Sequence, residues 1–414
     1  MDYSDFINKD IKCDCGVIHS SSIREIILKD NAIKELAGII EKNNYKSIFI
    51  VADEKTWRAA GKPVLKSIEQ AARGMDERKE IKITKHIFKE DRLLADEISI
   101  AKVFVHAPLE ADLIIGIGTG TINDLCKLIS KKLEKDYAIV VTAPSMDGFA
   151  TGKSMLTLSC LKTPIITKQP DYIICDLKIL CKSPKHMIAS GVSSILEKYI
   201  MLTEWNLAEL TDDGHYCRAV EKIIKKSIEA AEEAIKPHTD DGTNDFLLDR
   251  DIIKTIMESL LMEGIAISYI DNINLIMETG QSILSCLEML LLKEGQPPIP
   301  YGTGIAIITV KLIKLCEKLL YEKLLYEKKL YGKLLCKKLK KGQPDLEEAE
   351  KRLKKLEENK DEVLSIINTL PSSDYIKDFL KALEIPYKAK HIGISKQLLD
   401  DSLFSGCTKS LLSL

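Results

Sequence analysis

The feature that most constrains this chain is a change of rhythm near residue 180. Before it, short runs dominated by Val, Ile and Phe alternate with stretches of helical periodicity. The runs 47–52 (SIFIVA), 81–88 (IKITKHIF), 113–118 (LIIGIG) and 138–143 (AIVVTA) are bounded by Asp, Gly or Pro and read as strands. Segments 32–43 and 122–133 read as helices, 22–28 as an early strand and 172–175 as a late one. Strands separated by helices at this spacing build a parallel sheet covered by helices. After about residue 184 the strand signal stops. Apolar residues then recur three and four apart over 188–207, 217–235, 252–269 and 305–320, which predicts a helical bundle. The chain therefore divides into an α/β domain over 1–183 and an all-α domain over 184–414, with Pro184 opening the first helix of the second.

One stretch breaks the helical pattern. Residues 317–341 read EKLLY EKLLY EKKLY GKLLC KKLKK. A period of five turns the Leu positions around the axis of a helix with 3.6 residues per turn, so no single face is apolar. An exposed, charged helical insertion is expected there. It is too short to be a solenoid array.

Composition narrows the function classes. The 414 residues carry 60 Lys plus Arg against 62 Asp plus Glu, a formal charge of −2, with 45% hydrophobic residues. That is a folding composition, with length for two or three domains. It lacks the basic excess of a nucleic-acid binder. No apolar run reaches the roughly 18 residues a membrane span needs. The first ten residues, MDYSDFINKD, are too acidic and polar for a secretory signal. The 11 cysteines are scattered and odd in number, which argues against a disulfide framework; Cys126, Cys175 and Cys286 sit in apolar runs as small core residues. Cys13 and Cys15 have no partner pair at zinc-site spacing. A reduced, cytoplasmic protein is the expectation.

Three places hold residues able to do chemistry. Gly116-Ile-Gly118-Thr-Gly120-Thr121-Ile-Asn123-Asp124 follows an apolar strand and opens a helix. Glycines there let backbone N–H groups approach a phosphate, and the helix N-terminus adds positive potential. An ordinary strand-to-helix turn has the same composition. Thr142-Ala-Pro-Ser145-Met-Asp147-Gly-Phe-Ala-Thr151 leaves another strand end, where open α/β sheets bind ligands. Its polar groups suit a ribose, a nicotinamide or a polyol, and a structural turn accounts for it equally well. Asp53, just after the first clear strand, is placed to accept from an adenosine ribose and to repel a 2′-phosphate. A helix N-cap is the simpler reading of Asp53 alone.

Taken together these residues resemble the sn-glycerol-1-phosphate dehydrogenases, in the superfamily of iron-containing alcohol dehydrogenases, glycerol dehydrogenases and 3-dehydroquinate synthases. The matching pieces run in order along almost the whole chain: Cys15-Gly-Val-Ile-His19, Val51-Ala-Asp-Glu-Lys-Thr56, the glycine turn, Thr142-Ala-Pro-Ser-Met-Asp-Gly148, Trp205-Asn-Leu-Ala208, Gly264-Ile-Ala-Ile-Ser268 and Ile392-Gly-Ile-Ser395. The resemblance implies a dehydroquinate synthase-like fold, with a dinucleotide-binding α/β domain and a helical domain. It implies reversible reduction of dihydroxyacetone phosphate to sn-glycerol 1-phosphate with NAD(H) or NADP(H), and a homodimer. By this likeness Gly116, Gly118 and Gly120 lie near the cofactor pyrophosphate, and Thr121 and Asp124 belong to the cofactor site. Asp53 lies at the ribose and leans toward NAD. Thr142 and Ser145 line the nicotinamide side, and Asp147 faces substrate. Thr119 stands where the family has a middle Gly.

The departure that matters is at the family's metal, usually zinc or nickel, held by one Asp and two His. The corresponding positions here are Ser194, Gln281 or Ser282, and Tyr301. The histidines are at 19, 86, 106, 186, 215, 238 and 391, so no alignment slip restores a ligand between 238 and 391. Hydroxyl and amide groups are poor ligands beside carboxylate and imidazole, so no metal is expected there and metal-dependent turnover is expected to be lost. Three readings stay open. The chain is a cofactor-binding homologue acting as a regulatory or partner subunit, an oxidoreductase using Tyr301 and Lys198 in place of metal, or a conventional dehydrogenase for a small phosphorylated substrate.

Overall fold

A computed structural model of the chain describes residues 3–75, 80–211, 215–238, 245–270, 279–321, 351–352 and 354–407. Contacts divide the chain into two compact units, 1–195 with 222–271 and 196–221 with 272–414.

The first unit is built on a six-stranded sheet in the order β3-β10-β7-β6-β4-β5. Its strands are β3 (Glu25–Lys29), β4 (Ser47–Asp53), β5 (Lys82–Phe88), β6 (Leu113–Gly118), β7 (Asp136–Val141) and β10 (Tyr172–Asp176), all paired in parallel. These are the six strands expected from the sequence. The four inner strands read as unbroken apolar runs because helices cover both of their faces. Helix α1 (Glu35–Asn43) and α2 (Glu54–Gly74) pack on Ile48, Ile50, Ile115, Ile117 and Val140. Helices α3 (Glu97–His106) and α4 (Gly120–Leu133) complete the helical crossovers, and the short α5 (Leu177–Leu180) follows the last strand.

Two antiparallel hairpins were not legible in the sequence. One joins β1 (Lys9–Lys12) to β2 (Ile18–Ser21), the other β8 (Lys153–Leu158) to β9 (Leu161–Ile166). Both are short and half polar, and β9 carries Pro164, so neither gives an apolar run. Three more helices enter this unit: the first part of α6 (Lys185–Leu210), most of α7 (Arg218–Ile235), and α8 (Arg250–Ile270).

The second unit holds the rest of α6, α9 (Thr279–Lys293), α10 (Tyr301–Tyr321) and the helices Lys360–Ile367, Ser373–Ala382 and Lys396–Cys407. Leu287, Leu291, Ile299, Ile307, Ile394 and Leu399 form one of its cores. Residues 317–321 of the five-residue repeat continue α10, and the repeat from 322 onward lies outside the described residues. No helix among the described residues is long and apolar enough to cross a membrane.

One edge of the sheet carries a histidine whose pKa is lowered. His86 of β5 packs edge-on against Phe88, and its ring centre is 4.4 Å from that of His106 on α3. Its buried Nε2 has no hydrogen-bond partner. Burial, and then the charge of His106, lower its pKa from the ordinary 6.5, with Glu90 opposing and Lys102 adding to the fall. The folded state therefore favours neutral His86. Its contribution is complete above pH 6.5 and is lost as pH falls through 6.5 toward the lower folded value. Urea unfolding at a series of pH values should show stability declining below that point, and His86→Gln should flatten the decline. An unchanged slope in the variant rules this account out.

Candidate functional site

β4 and β6 are neighbours, with Ala52 opposite Ile117. From β4 the chain moves outward to β5, and from β6 it moves the other way to β7. Such a reversal opens a crevice at the carboxyl ends of the two strands, where open α/β sheets bind ligands. Asp53 ends β4 and Gly118 ends β6, so both predicted cofactor residues sit at the switch point.

The helix N-termini around the sheet are treated differently. Asp53 caps α2: its Oδ1 accepts from Lys55 N and Thr56 N, each at 2.8 Å, and Thr56 Oγ1 accepts from Asp53 N at 3.1 Å. Asp96 caps α3 and Asp176 caps α5. The N-cap of α4 is Thr119, and its side chain makes no capping bond. The first N–H groups of α4, at Gly120 and Thr121, therefore open on the switch point without a side-chain cap, a ready anion site. Thr119 has φ −120°, which any residue adopts, so its backbone does not require the family's Gly.

The three glycines of the turn do different jobs. A Cβ on Gly118 would stand 2.7 Å from Ile122 of α4, and one on Gly116 would stand 2.9 Å from the Tyr137 hydroxyl. These two let helix and neighbouring strand pack close to β6. A Cβ on Gly120 would meet the Met146 sulfur at 2.6 Å.

The loop 142–151 is held from every side of its own unit. Thr142 N donates to Gly118 O at 3.2 Å, tying the loop to the glycine turn. Asn123 donates to Gly148 O at 3.0 Å while accepting from the Tyr137 hydroxyl at 3.0 Å. Lys127 is buried and donates to Gly148 O at 3.1 Å and to Lys153 O, with Asp124 as its ion partner at 3.3 Å. Burial pushes the Asp124 carboxyl up, and Lys127 opposes the rise. Asp124 thus faces Lys127. Two helices come close on the other side. A Cβ on Gly191 of α6 would fall 2.1 Å from Pro144 O, and one on Gly264 of α8 would fall 2.3 Å from Asp147 O. Ser190 donates to Ser145 O at 3.1 Å. Thr142, Ser145 and Asp147 are all buried in this cradle. The clamp of Asn123, Lys127, Gly191 and Gly264 was missed as a unit. A Lys inside the apolar run LCKLI was its one sequence signal.

At the positions that the resemblance sets against metal ligands, the donors are of another kind. Ser194 lies in the first unit, fully buried, and its Oγ has no hydrogen-bond partner. In the second unit, Gln281 Nε2 donates to the Tyr301 hydroxyl at 2.5 Å, and Ser282 is half-buried beside it in α9. Lys198 is fully buried, with the Glu197 carboxylate 3.0 Å from its Nζ.

Comparison with known proteins now has a geometry to explain. The sequence profile of the iron-containing alcohol dehydrogenase family matches residues 27–184, from β3 to the end of the sheet. Over that span the chain is similar to that family. It is 25% identical over 396 residues to a glycerol-1-phosphate dehydrogenase [NAD(P)+] of Geobacillus stearothermophilus, covering 95% of this chain and 91% of the relative. With the corresponding protein of Bacillus velezensis it shares 29% over 289 residues, 68% of this chain and 69% of the relative. Among solved structures, glycerol dehydrogenase from Schizosaccharomyces pombe superposes with a TM-score of 0.56 at 16% identity, covering 93% and 89% of the two chains. NADH-dependent butanol dehydrogenase A from Thermotoga maritima superposes at 0.62 and 13% identity, covering 99% and 93%. Taken singly, Ser194, Gln281 or Ser282, and Tyr301 offer neither a carboxylate nor an imidazole, so these residue types do not suit a divalent transition metal.

Proposed function

We propose that this chain binds NAD(P)(H) at the carboxyl ends of β4 and β6, takes a phosphorylated three-carbon ketone or polyol, and has lost metal-dependent turnover. The observation that carries the reading is the contrast between the two sites. The switch-point turn has an α4 N-terminus with no side-chain cap, which supports a pyrophosphate there, while the expected metal positions carry no carboxylate or imidazole. When bound, the cofactor supplies a hydride acceptor or donor. The chain's own part is to hold it. The N–H groups of Gly120 and Thr121 would hold the cofactor's phosphates, and Asp53, whose Oδ1 keeps the α2 cap, would accept from its ribose. Thr142, Ser145 and Asp147, fixed by the clamp, line the nicotinamide and substrate side.

Fluorescence titration with NADH tests the binding, followed by dihydroxyacetone phosphate with and without added nickel or zinc. Saturable binding without metal-stimulated oxidation is expected. Asp53→Asn should weaken NADH about tenfold, the loss of one charge-assisted hydrogen bond of roughly 1.5 kcal/mol. Stability should barely change, since Asn caps a helix as well as Asp does. Asp53→Ala should in addition cost about 1 kcal/mol of unfolding free energy. Metal-stimulated NADH oxidation sinks the reading. Oxidation without metal that Tyr301→Phe abolishes replaces it with the Tyr301–Lys198 mechanism.

A further inference from the structure

The N-terminal hairpin carries a cluster that the dinucleotide site does not use. Cys13 and Cys15 lie in the turn between β1 and β2, and His19 lies on β2 opposite Ile11. Gly16, with φ +85°, closes the turn through its N–H to Cys13 O at 3.0 Å. A side chain would strain that backbone, so the turn that brings the two thiols round to His19 depends on Gly.

The ligand atoms of Cys13, Cys15 and His19 lie within 4.8 Å of one another, and His19 Nε2 is 3.4 Å from Cys15 Sγ. Tetrahedral zinc, with about 2.3 Å to sulfur and about 2.0 Å to nitrogen, sets S···N edges of about 3.5 Å. The imidazole is also prepared as a ligand. Its other nitrogen, Nδ1, is 3.2 Å from the carbonyl oxygen of Tyr269 in α8. A carbonyl only accepts, so Nδ1 carries the proton and Nε2 presents its lone pair to the thiols. This is the outer-shell arrangement that orients histidine on metals. The ring is 3% exposed and stacks on the Tyr269 ring at a centroid distance of 5.2 Å.

We propose that Cys13, Cys15 and His19 form a binding site for a soft divalent cation, zinc above all, separate from the family's metal position. Two thiolates and an imidazole select zinc over magnesium or calcium. The fourth tetrahedral place is left to water or another donor. Zinc here crosslinks the hairpin through His19 to α8, the helix whose Gly264 bears on the Asp147 loop. Its role is to brace that loop, and it takes no part in hydride transfer.

The test is metal analysis and zinc titration of the full-length protein, with cobalt substitution and zinc-edge X-ray absorption. One zinc per chain is expected, with at least two sulfur scatterers at about 2.3 Å and a thiolate-to-cobalt charge-transfer band. Cys13→Ser with Cys15→Ser should lower zinc affinity by more than the roughly 10–100-fold of an outer-shell change. Cys160→Ser, an exposed cysteine elsewhere, should leave it unchanged. Zinc should also slow alkylation of Cys13 and Cys15 in the unmutated chain, a readout that survives if the double variant fails to fold. No bound zinc, or zinc without sulfur in its shell, overturns the proposal. Both results are read from the metal and its ligands and not from NADH, so this site and the proposed function stand or fall separately.

Discussion

Replacing Lys127 by Met should cost the α/β unit about 3–5 kcal/mol, the usual consequence of removing one partner of a buried ion pair. Lys127 is 1% exposed. Its ammonium answers the Asp124 carboxylate at 3.3 Å and two backbone carbonyls, Gly148 O and Lys153 O. Met fills the volume and donates nothing. Asp124 loses its main cation while still buried, and each of the two carbonyls loses one of its donors. In thermal unfolding the loss should be on the order of 10 °C for a unit of this size. The double variant Asp124→Asn with Lys127→Met should recover part of it, because a buried pair removed as a pair leaves no uncompensated charge. NADH binding should fall in the single variant too, since Gly148 belongs to the loop lining the proposed site. A single variant within about 1 kcal/mol of the parent would falsify the clamp.

The second large effect is expected at Gly191. An added methyl would sit 2.1 Å from Pro144 O and 3.0 Å from a Leu260 methyl. The first obstacle is backbone, which cannot rotate away as a side-chain end can. Either α6 or the loop must move, and overpacking of this kind costs about 1–3 kcal/mol. Gly191→Ala should therefore lower stability by roughly 2 kcal/mol and weaken NADH binding by moving Ser145. The control is Gly38 in the middle of α1, where an added Cβ meets nothing within 4 Å. Gly38→Ala should stabilise by about 0.5–1 kcal/mol through helix propensity alone. Equal effects at the two positions would mean that contact with the loop does not matter.

Much of the fold was legible because burial leaves a clear trace. Strands buried on both faces, such as β4 and β6, have no polar position to blur them. Hairpins exposed on one side, such as β8–β9, leave no such trace. The glycine turn was legible as a turn, but not which glycine served which purpose. Gly116 and Gly118 answer to Tyr137 and Ile122, partners set by the sheet and by α4. Asp53 carried two readings in the sequence, and the structure shows the cap on one oxygen. His19 was one residue of a matching motif. Only the fold shows its proton directed at Tyr269 O, 250 residues away.

By itself the sequence determined the parallel sheet and the helical remainder, and it suggested a family resemblance in which Ser194, Gln281 or Ser282, and Tyr301 stand at expected metal-ligand positions. Each of these depends on local apolar period or on residue chemistry at a position. Tertiary structure alone decided that Lys127 is a buried clamp and not a surface charge, that Gly191 and Gly264 pass against the loop, and that two thiols and an imidazole converge. These depend on distances between segments far apart in the chain, and no local pattern of residues encodes them.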